Sequence, residues 1–161
     1  MKYREILIIM NNKPGVLSKI SGLFQKRGIN IETITAGESY PADLVRMTVC
    51  GNWDEYTVHQ IMAQAEKLFD VRFVKEFDDK NSVDRELALI KLKADDSRRA
   101  EIMQVTTIYR GNIVDVGRES LIIEITGGKD KIAGFLDYVE TFGILEVART
   151  GVTSMTRGSE M

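Results

Sequence analysis

The chain has 161 residues, 43% hydrophobic and 29% charged, which suffices for one compact domain or for two small ones. A formal net charge of −2 without a dense Lys/Arg block leaves no electrostatic footprint for nucleic acid or an anionic membrane. The single Cys50 excludes an intramolecular disulfide, no stretch approaches the roughly 18 apolar residues of a membrane helix, and the apolar run after Lys2 and Arg4 is too short for a secretory leader, so the expected location is cytoplasmic.

Ile6 to Met10 reads as a buried strand. Asn11-Asn12-Lys13-Pro14-Gly15 follows as a turn, and Val16, Leu17, Ile20, Leu23 and Phe24 recur at helical spacing up to a stop at Arg27-Gly28. Ile29, Ile31 and Thr33 alternate with polar residues as a second strand; 37–43 is a turn; Val45, Met47 and Val49 form a third strand ended by Gly51-Asn52. Val58, Ile61, Met62, Ala65, Leu68 and Phe69 mark a second amphipathic helix, and Val71 to Phe77 a fourth strand.

The polar segment 78–83 reads as a linker, after which the plan restarts. Arg85-Glu86-Leu87 echoes Arg4-Glu5-Ile6, and Arg110-Gly111-Asn112-Ile113 echoes Arg27-Gly28-Ile29-Asn30. Strands over 87–92, 113–116, 121–125 and 144–147 bracket helices carrying Ile102, Val105 and Tyr109, then Ile132, Phe135, Leu136 and Val139. A repeat this long implies duplicated α+β domains, two ferredoxin-like βαββαβ units in tandem over 1–77 and 84–161. Such sheets leave one face and two edges to protect, and Ile6-Leu7-Ile8-Ile9 is apolar on both faces, so pairing between copies of the chain is expected.

Residues for catalysis or metal binding are scarce. His59 falls in a helix pattern and reads as a surface or packing histidine; Cys50 reads as a small buried residue without a basic activator. Asp78-Asp79 and Asp95-Asp96 suit solvation or helix capping, Gly127-Gly128-Lys129 lacks the spacing of a phosphate loop, and Trp53 reads as packing at a helix entrance. No catalytic residue and no metal or cofactor site is assigned to this chain.

The turn at Asn12 to Gly15 has more to offer. Gly15 admits close approach of a ligand to the backbone, and a helix starting at Val16 presents free N–H groups suited to a carboxylate. Asn30, entering the next strand, is expected near the same loop. The Gly15 and Val16 amides would then hold the carboxylate of an amino acid, and the side-chain oxygens of Asn12 or Asn30 its ammonium group.

The segments Asn12 to Ser18, Gly22 to Glu32 and Arg46-Met47-Thr48 resemble the ACT domain family of amino-acid-sensing modules. With Arg85-Glu86-Leu87, Tyr109 to Val116 and Glu146 to Val152, the whole chain resembles the small regulatory subunits of acetolactate synthase. That resemblance implies an effector-binding ACT domain over 1–77, a linker over 78–83 and the C-terminal domain of such subunits over 84–161. It implies a non-catalytic protein that pairs as a homodimer, activates a large catalytic subunit and transmits feedback by valine or another branched-chain amino acid. Thiamine diphosphate, magnesium and FAD would belong to that large subunit. The family's effector positions fall on Asn12, Gly15 and Asn30, with Val16 and Ile31 adjacent. A free-standing tandem ACT regulator is the alternative reading.

Overall fold

The computed structural model describes every residue except 79, 160 and 161, so one member of the Asp78-Asp79 pair lies outside the described residues. The chain forms two compact units, one of residues 1–83 with 152–161, the other of residues 84–151.

The first unit runs β1 (Lys2–Asn11), α1 (Val16–Gln25), β2 (Thr33–Glu38), β3 (Leu44–Trp53), α2 (Glu55–Ala65) and β4 (Val71–Glu76). The strands lie in the order β2-β3-β1-β4 with antiparallel neighbours, the arrangement of a ferredoxin-like unit. Alternate strand residues Ile6, Ile8, Met10, Met47 and Val49 meet the buried stripes of the helices: Val16, Ile20 and Phe24 from α1, and Val58, Ile61 and Ala65 from α2. Each helix has a local reason for its ends. Asp54 caps α2 by accepting the Thr57 N–H at 2.7 Å. Beyond α1, Gly28 takes φ +64°, and the Gly28 and Ile29 N–H groups donate to Gln25 O and Phe24 O at 3.1 and 3.0 Å, satisfying carbonyls of the last turn.

The second unit repeats the plan with β5 (Ser82–Lys93, its first two residues still counted with the first unit), α3 (Asp96–Ile108), β6 (Asn112–Val116), β7 (Ser120–Gly127), α4 (Lys129–Val139) and β8 (Ile144–Arg149), in the order β6-β7-β5-β8. Ala88, Ile90, Leu92, Leu121, Ile123 and Ile125 meet Ile102, Val105, Ile132, Phe135 and Val139 in its core, where Tyr109 packs edge-on to Phe135 at 5.2 Å. Asp95 caps α3 through the Ser97 and Arg98 amides, so capping accounts for the Asp95-Asp96 pair. The two tandem βαββαβ units are therefore as the sequence predicts.

Several details differ. Residues 82–83, expected in the linker, already belong to β5, and Leu68 and Phe69, expected in the second helix, follow its end at Ala65. Residues 29–32 precede β2, because the Asn30 carbonyl is held by Trp53 Nε1 at 2.9 Å and the ladder opens only at Glu32, whose N–H donates to Cys50 O at 2.9 Å. β3 continues through Gly51-Asn52 to Trp53, paired throughout with β1. A further difference concerns residues 152–159, expected to belong with the second domain over 84–161. Thr153–Thr156 form β9, which groups with the first unit. Polar contacts hold it there: the Ser154 hydroxyl to Glu5, the Ser154 carbonyl accepting from Arg46 Nη2 at 2.6 Å, Thr156 Oγ1 accepting from Lys75 Nζ at 3.3 Å, and the Arg157 N–H donating to Asn81 O at 2.9 Å. These bonds reach the sheet face away from the helices, where Leu7, Ile9 and Phe77 form a second apolar cluster.

Candidate functional site

The loop from β1 to α1 is built on a fixed floor. Asn11, buried at the end of β1, donates its N–H to Asp70 O at 2.8 Å and accepts from Arg72 Nε through Oδ1 at 2.8 Å. Lys19, one turn into α1, donates to Asp70 Oδ2 at 2.9 Å, tying the helix start to the residue before β4. The Asn12 N–H donates to Asp43 O at 2.8 Å and the Lys13 N–H to Asn11 O at 3.0 Å. None of these supports was singled out from the sequence; Asp70 lies in a turn some sixty residues from Asn11, and no local spacing joins them.

Above that floor Gly15 sits in the left-handed region at φ +83°, as N-cap of α1. No side chain caps the helix and no acidic residue lies in its first turn. A Cβ built on Gly15 would meet nothing within 4 Å, so the space in front of the helix start is open. Asn12, Lys13, Pro14 and Gly15 are exposed, while Val16 is buried and anchors the helix in the core. The Val16 N–H donates to Lys13 O at a long 3.4 Å, and the other first-turn amides without a side-chain cap, the positive end of the helix dipole and Lys13 favour an anion at this point.

The structure brings Asn12, Gly15 and Val16 together but not Asn30 and Ile31. Asn11 pairs with Leu44 and Lys2 with Trp53, so the Asn12 loop is at one end of the sheet and Asn30, bonded to Trp53, at the other. The ten residues of α1 lie between them, about 15 Å at 1.5 Å per residue. The expectation that one chain gathers all these residues is not met, because a strand–helix–strand crossover puts its two connections at opposite ends of the sheet. The Asn30 side chain is exposed, and Ile31 packs partly against the helix-side core.

Asp70 gives the loop a pH signature. The Lys19 ammonium group, then the Asn11 amide, hold its carboxyl below the usual carboxylate range. A depressed folded-state pKa means that this stabilisation is present at neutral pH and is lost as the pH falls through the depressed value. Asp70→Asn is therefore expected to melt below wild type at pH 7, with the gap closing on acidification. Thermal unfolding followed by circular dichroism at neutral pH and at about pH 3, below the ordinary Asp value of about 3.9, checks this. A gap that persists undiminished in acid would remove the ionic role.

Elsewhere, Trp53 is buried against Phe24 with ring centroids 5.9 Å apart, which is the packing role. Cys50 is fully buried, His59 is exposed on α2, and Gly128 is the N-cap of α4. Among the described residues no three His, Cys, Asp or Glu side chains cluster as metal ligands, and no helix is long and apolar enough to cross a membrane.

Residues 85–158 match the family model of the small subunit of acetolactate synthase, and residues 6–72 that of the AHAS small subunit-like ACT domain. The chain is 39% identical to the acetolactate synthase small subunit of Mycobacterium bovis over 157 residues, which cover 98% of this chain and 94% of that one. It is 39% identical to that of Bacillus subtilis over 158 residues, covering 98% and 92%. The crystal structure of the acetolactate synthase small subunit from Thermotoga maritima superposes with a TM-score of 0.92 at 40% identity, covering 99% of this chain and 100% of that one.

Proposed function

The chain belongs to the family of acetolactate synthase small subunits, and from that premise we propose that it activates the catalytic subunit and makes it sensitive to valine or another branched-chain amino acid. The observation that carries the effector reading is the start of α1, uncapped and facing open space behind a left-handed Gly15. An amino-acid carboxylate accepts from the first-turn amides there, and a side-chain amide supplies an acceptor for the ammonium group. Membership of a subunit family over nearly the whole chain favours this reading over a free-standing tandem ACT regulator.

The separation of Asn12 from Asn30 supports a site shared by two chains. β2 is an edge strand whose Ile34 is 48% exposed on the helix side. Antiparallel pairing of two copies through β2 turns one end for end, bringing Asn30 and Ile31 of one copy toward Asn12, Gly15 and Val16 of the other. The protein alone is therefore expected to sediment as a dimer or larger. A clean monomer of 18.2 kDa at micromolar concentration would remove the shared site.

Thiamine diphosphate, magnesium and FAD reside on the catalytic partner, and the complex works in the cytoplasm. The isolated chain is expected to form no acetolactate from pyruvate, and adding it to its catalytic subunit to raise turnover. Reconstitution from separately purified subunits tests both. Acetolactate formation by this chain alone, free of contaminating enzyme, or unchanged turnover on mixing, would overturn the reading.

A further inference from the structure

Arg46 lies near the start of β3 on the sheet face away from the helices, opposite Ile9 on β1 and Gly37 on β2. Its Nη2 donates to the Ser154 carbonyl at 2.6 Å and its guanidinium lies over the Phe77 ring at 6.0 Å. Its Nε is buried and finds no acceptor. An unpartnered arginine Nε is not by itself informative here, because those of Arg4 and Arg99 share it. Arg4, however, pairs with Glu76 at 2.6 Å, and Arg99 donates to the carbonyls of Ala94, Gly117 and Arg118 on the other side of its fork. Among the described residues Arg46 pairs with no carboxylate, and burial lowers its pKa with no anion to offset it. Arg46 as a whole is half-buried, and a half-buried cation with an occluded, unpaired Nε gains from an anion brought to it.

A cavity of about 170 Å³ is lined by Arg46 together with Thr35, Gly37, Thr48 and Thr153, with Ala36 and Glu38 completing its wall. Thr35 and Thr48 face each other across β2 and β3 on the same sheet face as Arg46, and Thr153 comes from β9. Glu38 touches the rim, but it pairs with Val45, whose side chain packs in the helix-side core, so strand alternation directs its carboxylate to the other face. The pocket thus combines a forked cation and three hydroxyls; Glu5 lies on the same sheet face but is outside the pocket lining and accepts from the Ser154 hydroxyl. At about 30 Å³ per water the space holds roughly five or six waters, enough for a small ion and well below a drug-sized site.

We propose that this pocket is a second ligand site, separate from the Gly15 loop, which takes a compact oxyanion, a carboxylate or a phosphate, on the forked N–H groups of Arg46. A guanidinium presents parallel N–H groups matched to two oxygens of such an ion, and the threonine hydroxyls supply further donors. Because Thr153 and Ser154 belong to β9 while Arg46, Thr35 and Thr48 belong to the sheet, occupancy also fastens the end of the chain to the first unit.

The test follows the Arg46 Nε–H resonance in the ¹⁵N-labelled full chain, assigned in wild type, during titration with sodium acetate and separately with inorganic phosphate. Ionic strength is held constant with sodium chloride, which alone serves as the reference. A saturable shift with either anion and none with chloride is expected. At ten times the dissociation constant, β9 amide exchange should slow about tenfold, since opening β9 must release the ion. Acetate as the active arm identifies a carboxylate ligand, phosphate an inorganic or esterified one. Gly15→Asp should retain the same curve, which separates this site from the effector loop. Absence of a saturable shift with both anions, a response equal to that with chloride, or loss of the response in Gly15→Asp would overturn the proposal.

Discussion

Gly15→Asp is expected to abolish amino-acid feedback while leaving activation of the catalytic subunit largely intact. Gly15 holds φ +83°, a conformation that costs an ordinary L-residue roughly 1–2 kcal/mol but that Asp tolerates better than most. A Cβ there meets nothing within 4 Å, so the variant keeps its core and α1 keeps the anchor of buried Val16. The new carboxylate lies beside the amides proposed to receive the effector's carboxylate, competes for them and repels it. Allosteric coupling is typically about 1–3 kcal/mol, so losing one anion site is enough to erase it. Gly15→Ala separates the causes: it carries the backbone strain without the charge and should keep a weakened response. Acetolactate formation by the reconstituted complex is measured across titrations of valine, leucine and isoleucine. If wild type responds and Gly15→Asp follows the same inhibition curve, the effector does not bind at this loop.

The βαββαβ plan was legible because its signals are local. Val16, Ile20 and Phe24 recur along one helix face, Gly28 stops that helix, and the apolar residues of β1 serve two faces, with Ile6 and Ile8 toward the helices and Leu7 and Ile9 away from them. The Gly15 loop was legible for the same reason, since strand, turn and helix are contiguous. The place of Asn30 was misjudged because nearness in sequence to a crossover says nothing about which end of the sheet the residue occupies. Trp53 fixes that end from a distant strand. Arg46, between Val45 and Met47, has the period of a solvent-facing position, yet it is covered by chain that arrives more than a hundred residues later. That covering strand, Thr153-Ser154-Met155-Thr156, was invisible because it is short and largely polar, and its fully buried member is a serine. Burial there follows from hydrogen bonds to Glu5, Arg46 and Lys75, which no periodicity reports.

Ending the chain at Gly151 is expected to destabilise the first unit far more than the second, although the residues removed carry few apolar side chains. Val152 and Ser154 are buried, and the contacts of Ser154 and Thr156 reach Glu5, Arg46 and Lys75 around Leu7 and Ile9. Removing them leaves Arg46 without its carbonyl and Glu5 without the Ser154 hydroxyl, and opens the Leu7, Ile9 and Phe77 cluster to water. Exposing even two of these three, Leu7 and Ile9, costs about 1.5–3 kcal/mol each, so the loss is on the order of 3–6 kcal/mol or more. At about 4–8 °C per kcal/mol for a unit of roughly 90 residues, the melting transition of the first unit should fall by at least about 12 °C. Amide exchange should quicken in β1, β3 and β4 and stay slow around Ile90, Ile123 and Phe135 in the second unit. Ser154→Arg forces a long side chain into the fully buried position that the Ser154 hydroxyl occupies beside Glu5 and should act in the same direction, which keeps the test available if the shortened chain is lost to proteolysis. Unchanged melting and unchanged β1 protection in both variants would show that β9 is not what seals this face of the sheet.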